Sequence, residues 1–200
     1  MRDMIKPSLV LFLVCLFVTA ALALTYNITK DTIKARAAAD AESARKEVLA
    51  DAETFIQVDE AQIMSIIEKN PELDVAKEVF EGMKENQTIG YVFSVTNKGY
   101  GGEIDVIVGI DAAGMITGIK IVEHSETAGL GSKVTEDTFL SQLVGITPER
   151  ALKVVKNKGS NNDEDIVAVS GATISSKAVV GAVQAALDLY RELVKQGGAT

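Results

Sequence analysis

Ser170-Gly171-Ala172-Thr173-Ile174-Ser175-Ser176 sets four hydroxyls around two small residues, between a short apolar run, Ile166 to Val169, and an Ala/Val/Leu-rich segment, Lys177 to Lys195. The apolar residues of that segment recur at helical spacing, so the stretch reads as strand, tight turn and helix N-terminus. Amides in a first helical turn have no intrahelical acceptor and sit at the positive end of the helix dipole, which suits a phosphate or another anion. The same hydroxyls would also serve as simple helix caps. Residue types alone leave both readings open.

Two other stretches carry polar and glycine residues in patterns worth weighing. Gly99-Tyr100-Gly101-Gly102 reads as a glycine-rich hairpin. In His124-Ser125-Glu126-Thr127-Ala128-Gly129-Leu130-Gly131-Ser132-Lys133 the glycines permit a long connection with positive φ, while Glu126, Thr127 and Lys133 can offer acceptors and donors to a ligand. His124 is the only histidine and Cys15 the only cysteine, so no disulfide, thiolate metal cluster or Cys-X-X-Cys pair can form within the chain, and His124 has no histidine or cysteine partner for a metal. No serine/histidine/acid order, Walker loop or dinucleotide GxGxxG follows a strand. Redox chemistry would need a borrowed cofactor.

These three stretches resemble the FMN-binding domain family. Ser170-Gly171-Ala172-Thr173 followed by Ile174-Ser175-Ser176 is similar to its flavinylation motif, in which the threonine of SGAT holds FMN through a phosphoester. The resemblance implies covalent FMN on Thr173, with Ser170, Gly171, Ala172, Ser175 and Ser176 around the attachment point. The His124 to Lys133 block is similar to the family's ETPGLG stretch, with Ala128 in place of proline, and implies flavin contacts from Glu126, Thr127, Gly129, Leu130 and Lys133. Gly99 to Gly102, leading into Gly109-Ile110-Asp111, is the third block, with Tyr100 and Gly101 beside the ring. Where the family pattern has an aspartate six residues before the modified threonine, this chain has Val167.

With one N-terminal apolar segment and this length, residues 1 to 195 resemble the G subunits of the Rnf complex, an ion-translocating ferredoxin:NAD oxidoreductase. That resemblance implies an electron-relay subunit of the cell inner or plasma membrane, a single pass, and a main domain on the extracytoplasmic side. Its partners would be the other subunits of the membrane electron transport complex, the lipid bilayer, and an FMN transferase for maturation. No histidine, lysine or N-terminal amine is placed by sequence to activate Thr173, which also points to a separate enzyme. The alternatives are a C-type subunit of a Na⁺-translocating NADH:quinone oxidoreductase and a membrane-anchored scaffold that carries no flavin.

The elements that must position these residues follow a simple order. Ser8 to Tyr26 runs without a charge, roughly 28 Å as a helix and enough to span a bilayer. A cleaved signal peptide ending near Ala21-Leu22-Ala23 is the rival reading. Arg2 and Lys6 on one side face Lys30, Lys34 and Arg36 on the other, so charge does not orient the span. Residues 1–26 are therefore expected as anchor, 27–58 as a charged helical stalk, 59–196 as the FMN-binding domain and 197–200 as a tail.

Within the domain, Asp59 to Lys69 should form a helix, closed by Asn70-Pro71. Lys77 to Met83, Thr88 to Thr96, Glu103 to Ile110 and Ile116 to His124 read as strands, with a hairpin turn at Asp111-Ala112-Ala113-Gly114. Ile104, Val106, Val108 and Ile110 share one face, while the phase of Ile119 and Ile121 stays undecided. Glu136 to Leu143 and Thr147 to Leu152 read as helical, Lys153 to Lys158 as a strand and Asn157 to Asp165 as a polar loop. The last helix presents Val179, Val183, Ala186, Tyr190 and Leu193 to the sheet. The fold class is α+β, one transmembrane helix followed by a small mostly antiparallel sheet packed with helices. A net charge of -8 and no basic patch argue against a nucleic-acid partner.

Overall fold

The structure is a computed structural model that describes residues 2–147, 151–157 and 164–197. The chain divides into two units, residues 1–42 and 43–200. The first is formed by most of α1 (Arg2–Val48), whose apolar window has a mean hydropathy of 2.6 and no buried residues. By length and composition it can cross a membrane.

The second unit is built on a five-stranded antiparallel sheet in the order β1 (Thr54–Gln57), β2 (Ala76–Lys84), β3 (Gln87–Lys98), β4 (Glu103–Asp111), β5 (Ile116–His124). Each connection is local. Glu85 and Asn86 close the β2–β3 hairpin with φ of 47° and 65°, the twist a two-residue turn between paired strands requires. Asp111 closes the β4–β5 hairpin: its Oδ1 accepts the amides of Ala113 and Met115, both at 2.9 Å, and Gly114 takes φ 82°. Before the sheet's long strands, α2 (Glu60–Ile67) starts where the Asp59 carboxylate accepts the Ala61 amide at 3.0 Å.

Register settles the phase left open by the sequence. Val106 lies opposite Ile121, Val108 opposite Ile119 and Ile110 opposite Ile116, so all six side chains face one core. An irregularity between Gly109 and Ile110 brings Ile116 opposite Ile110, and a second one between Asp105 and Val106 ends the run. On this face lies α4 (Thr173–Gly197), with Val179, Val183, Ala186, Tyr190 and Leu193 all buried against it. Two polar contacts fix its position: Asn97 Nδ2 donates to the Ala178 carbonyl at 3.1 Å, and the Tyr190 hydroxyl to that of Ala112 at 3.0 Å.

The opposite face corrects the expected stalk. Residues 43–58 belong to the compact unit, not to a separate helical spacer. The last turn of α1 and the turn after it bury Ala44, Val48, Leu49 and Ala52, and β1 then joins the sheet edge beside β2. Glycines make the seat: a Cβ on Gly109 would stand 2.3 Å from the Val48 carbonyl oxygen, and one on Gly82 2.4 Å from Leu49 Cδ2. The Thr117 hydroxyl donates to the Val48 carbonyl at 2.5 Å, and the Arg45 guanidinium lies 4.2 Å from the centre of the Phe80 ring.

After β5 the chain makes a 3₁₀ turn at Gly131–Thr135 and the short α3 (Asp137–Leu140), where the sequence suggests one helix from Glu136 to Leu143. β6 (Lys153–Val155) and β7 (Asp165–Val167) form a separate parallel pair that leads into α4. The helical start expected around Pro148 to Arg150 and the centre of the polar loop, 158–163, lie outside the described residues.

Candidate functional site

The turn into α4 is held by its own backbone and one serine. Gly171 takes φ 80°, a left-handed conformation that costs glycine little, and the Ala172 amide bonds back to the Val169 carbonyl at 2.9 Å. The Ser176 amide and hydroxyl both donate to the Ala172 carbonyl at 2.9 Å, and the same hydroxyl accepts the Val169 amide at 3.0 Å. Ser176 is thus a buried staple of the turn. Ala172 stands at the cap position and has no side-chain oxygen to offer. Among the described residues, the amides of Thr173, Ile174 and Ser175 find no acceptor.

The hydroxyls therefore divide by role. Ser175 is buried and donates to Glu126 Oε2 at 2.8 Å. Thr173 is half-buried and its hydroxyl makes no hydrogen bond among the described residues. Ser170 is exposed, one turn outside the helix.

Thr173 and Ser175 open into a cleft of about 460 Å³, within the size range of small-molecule sites. Its other walls are Tyr100 from the β3–β4 turn, Glu126, Thr127, Leu130 and Gly131 from the loop after β5, and Gly171, Ala172 and Ile174 from the turn into α4. Tyr100, Leu130 and Ile174 are more than half exposed, which gives the cleft an apolar, partly aromatic rim. Three sequence segments, far apart in the chain, thus converge on the first turn of α4.

Glu126 lines the cleft and also joins its segments. Its Oε1 accepts the amides of Tyr100 at 2.7 Å and Gly101 at 3.2 Å, while Oε2 accepts the Ser175 hydroxyl. The carboxylate ties the Gly99 to Gly102 turn to the start of α4, and only 8% of the residue is exposed. Its amide is directed in turn onto His124 Nδ1 at 3.3 Å. A Cβ on Gly99 would stand 2.0 Å from Oε1 and one on Gly131 2.4 Å from Oε2, so both glycines make room for this acid.

Other expected site residues lie apart from the cleft walls. Gly101 reaches it through the Glu126 bond, and Gly129 is an exposed turn residue at φ 77° whose amide donates to Ser132 Oγ at 2.9 Å. Lys133 lines a separate hollow of about 220 Å³ beside Glu136, Gln142 and Val167. The structure adds Gly131 and Ile174 to the walls. It also adds Gln142, whose side-chain amide donates to the Val167 carbonyl at 3.2 Å and accepts the Val167 amide at 2.9 Å. That bidentate clasp holds β7, the strand that delivers the chain to the turn; nothing in the sequence around Gln142 signals it.

An α+β domain with an open helix N-terminus and an aromatic-rimmed cleft at one edge has the features of a flavin-mononucleotide site, and residues 99–188 match the FMN-binding domain family. Residues 1–48 match the RnfG N-terminal region. The chain is 35% identical over 196 residues to the G subunit of the Na(+)-translocating ferredoxin:NAD(+) oxidoreductase complex of Acetobacterium woodii, covering 95% of this chain and 93% of that protein. It is 32% identical over 188 residues to the G subunit of the ion-translocating oxidoreductase complex of Methanosarcina acetivorans, covering 94% of each. The chain belongs to the family of Rnf complex G subunits. Among solved structures, NqrC of Shewanella oneidensis superposes with a TM-score of 0.53 at 24% identity over 62% of this chain and 61% of that one, a likeness of fold.

The residues present fit FMN. A free hydroxyl and three open amides meet a phosphate, and Tyr100, Leu130 and Ile174 offer apolar surface to a flat ring.

Proposed function

We propose that this chain is a membrane-anchored electron-relay subunit of an Rnf-type ion-translocating ferredoxin:NAD oxidoreductase, with FMN held as a phosphoester on Thr173. The observation that carries this reading is the Thr173 hydroxyl, unbonded at an open helix N-terminus inside the cleft, while its neighbours Ser175 and Ser176 are engaged. G-type relatives matched over nearly the full chain support the Rnf type over the C-type quinone-reductase subunit, for which the fold likeness alone speaks.

Bound FMN supplies the electron-accepting and electron-donating chemistry that no side chain here possesses. The chain's part is to hold and orient. Thr173 Oγ1 would bond the flavin phosphorus as the bond from that phosphate to its activating group breaks and that group leaves, and the first amides of α4 would face the remaining phosphate charge. The activated flavin phosphate and the base that takes the Thr173 proton would come from a separate FMN transferase, since among the described residues no histidine or lysine lines the cleft. Tyr100, Leu130 and Ile174 would offer apolar surface to part of the ring. A covalent tether would keep the site filled although the rim residues Tyr100, Leu130 and Ile174 are exposed. The apolar part of α1, long and apolar enough to cross a bilayer, would hold the subunit there, and the family resemblance supports a domain on the extracytoplasmic side.

The reading is tested by co-expressing the full chain with a flavin transferase and the other complex subunits, then solubilising and purifying the assembly. A fluorescent flavin band at this chain's mass on a denaturing gel, in a complex that reduces NAD with ferredoxin, supports it. A colourless chain that purifies alone favours the scaffold alternative.

A further inference from the structure

Glu126 is the only charged side chain among the buried residues described, and every hydrogen bond to its carboxylate comes from a neutral donor. It makes no ion pair among the described residues. Two consecutive amides converge on Oε1, the arrangement of a small anion nest, and a hydroxyl serves Oε2. The two backbone hydrogens point toward Oε1, the bonding pattern of an accepting carboxylate oxygen. The group forms a wall of the Thr173 cleft, and glycines at 99 and 131 are what let it sit there.

We propose that Glu126 is a positioning and potential-setting residue: it shapes the flavin cleft by joining its three segments, and its fixed negative charge lowers the reduction potential of the flavin. This rests on the proposed FMN reading. Dipoles spread a buried charge without cancelling it, and a group walled from solvent is little screened by salt. Placing electrons on a ring beside that charge costs more than beside a neutral side chain, so the oxidised flavin is favoured.

The geometry allows the two roles to be separated. In Glu126→Gln the remaining oxygen can still accept the Tyr100 and Gly101 amides, and the Ser175 hydroxyl can turn to accept from the new amide. Charge is lost and shape kept. Ser175→Ala does the reverse, leaving the charge in place with one fewer donor to spread it. Glu126→Ala removes both charge and clasp.

The test is a redox titration of the flavinylated full chain in detergent, with hydrogen exchange on the same variants before flavin loading. Glu126→Gln is expected to shift the potential to more positive values and Ser175→Ala to more negative ones. The Tyr100 and Gly101 amides are expected to stay protected in Glu126→Gln and to lose protection in Glu126→Ala. A potential unchanged or lowered in Glu126→Gln, or displaced in the same direction by both variants, overturns the charge role. Protection retained in Glu126→Ala overturns the shaping role. Should Glu126→Gln load no flavin, the direction of the Ser175→Ala shift decides. A wild-type chain that takes up no flavin defeats the FMN reading instead, and the exchange data still decide the clasp.

Discussion

Val48 fills the space that a side chain on Gly118 would need: a Cβ there would lie 2.8 Å from the Val48 Cα and 3.0 Å from its carbonyl oxygen. Gly109, which pairs with Gly118 across β4 and β5, is as tightly covered. The end of α1 is therefore set into the sheet by missing side chains as much as by present ones. Gly118→Val and Gly109→Val should each destabilise the domain by about 1–3 kcal/mol or more, because backbone and not a flexible side chain must give way. Thermal unfolding of the full chain in detergent checks this; a wild-type midpoint in both variants would show that α1 ends elsewhere.

Gln142 supports the site from a distance. Gln142→Ala would leave the Val167 N–H and C=O without their partner, at a cost of about 1–3 kcal/mol for partly buried groups. The Val167 amide should then exchange faster, and the turn that presents Thr173 should lose order, so flavinylation slows. Gln142→Glu keeps the acceptor and loses the donor, and is expected to fall between the two. Equal exchange at Val167 in all three proteins would remove Gln142 from this role.

Tyr91 and Tyr190 meet edge to face, with ring centroids 6.1 Å apart. Burial raises both phenols above their ordinary value of 10.0, helped by Glu81 and Tyr190 for Tyr91 and by Asp111 for Tyr190. The unfolded phenols lose protons near pH 10 while the folded ones still hold theirs, so the folded state binds more protons there. The contribution of these two phenols to stability should be constant below that pH and fall as pH rises from about 10 through the raised folded values. Tyr91→Phe and Tyr190→Phe should each flatten the decline. Tyr190→Phe also loses the bond to Ala112 and should lower stability by about 1 kcal/mol at neutral pH. Denaturant titrations from pH 8 to 11 measure both effects, and an unchanged alkaline slope in the two variants would contradict them.

What is legible in the sequence is local. The strands between residue 77 and residue 124, the hairpin at Asp111 and the helix after Ser176 all follow from short-range pattern and turn chemistry. That Ile119 and Ile121 lie opposite Val108 and Val106 depends on a strand register offset at both ends of that run, which no alternation of residue types reveals. β1 is four residues long, too short for periodicity to separate it from the helix before it. The seat of α1 and the turn after it on the sheet leaves no local pattern, because its contacts join valine and leucine to glycines more than 30 positions away. The candidate site shows the same division. Thr173 is marked by its immediate neighbours, whereas the partners of Glu126 lie 25, 26 and 49 positions off, and distance in sequence conceals that its carboxylate is already satisfied by the protein. Lys133 lies inside the 3₁₀ turn and borders a different hollow, which residue types in the loop do not disclose.

The central claim is that one hydroxyl, that of Thr173, carries the flavin. The most direct measurement is intact-mass and peptide-mapping spectrometry of the full chain co-expressed with an FMN transferase, beside Thr173→Ala, Ser175→Ala and Ser176→Ala. The expected result is one FMN, added as a phosphoester, on the peptide containing Thr173 in wild type and in both serine variants, and none in Thr173→Ala. An FMN-modified Thr173→Ala chain, or a wild-type chain at its bare polypeptide mass after maturation, would contradict it.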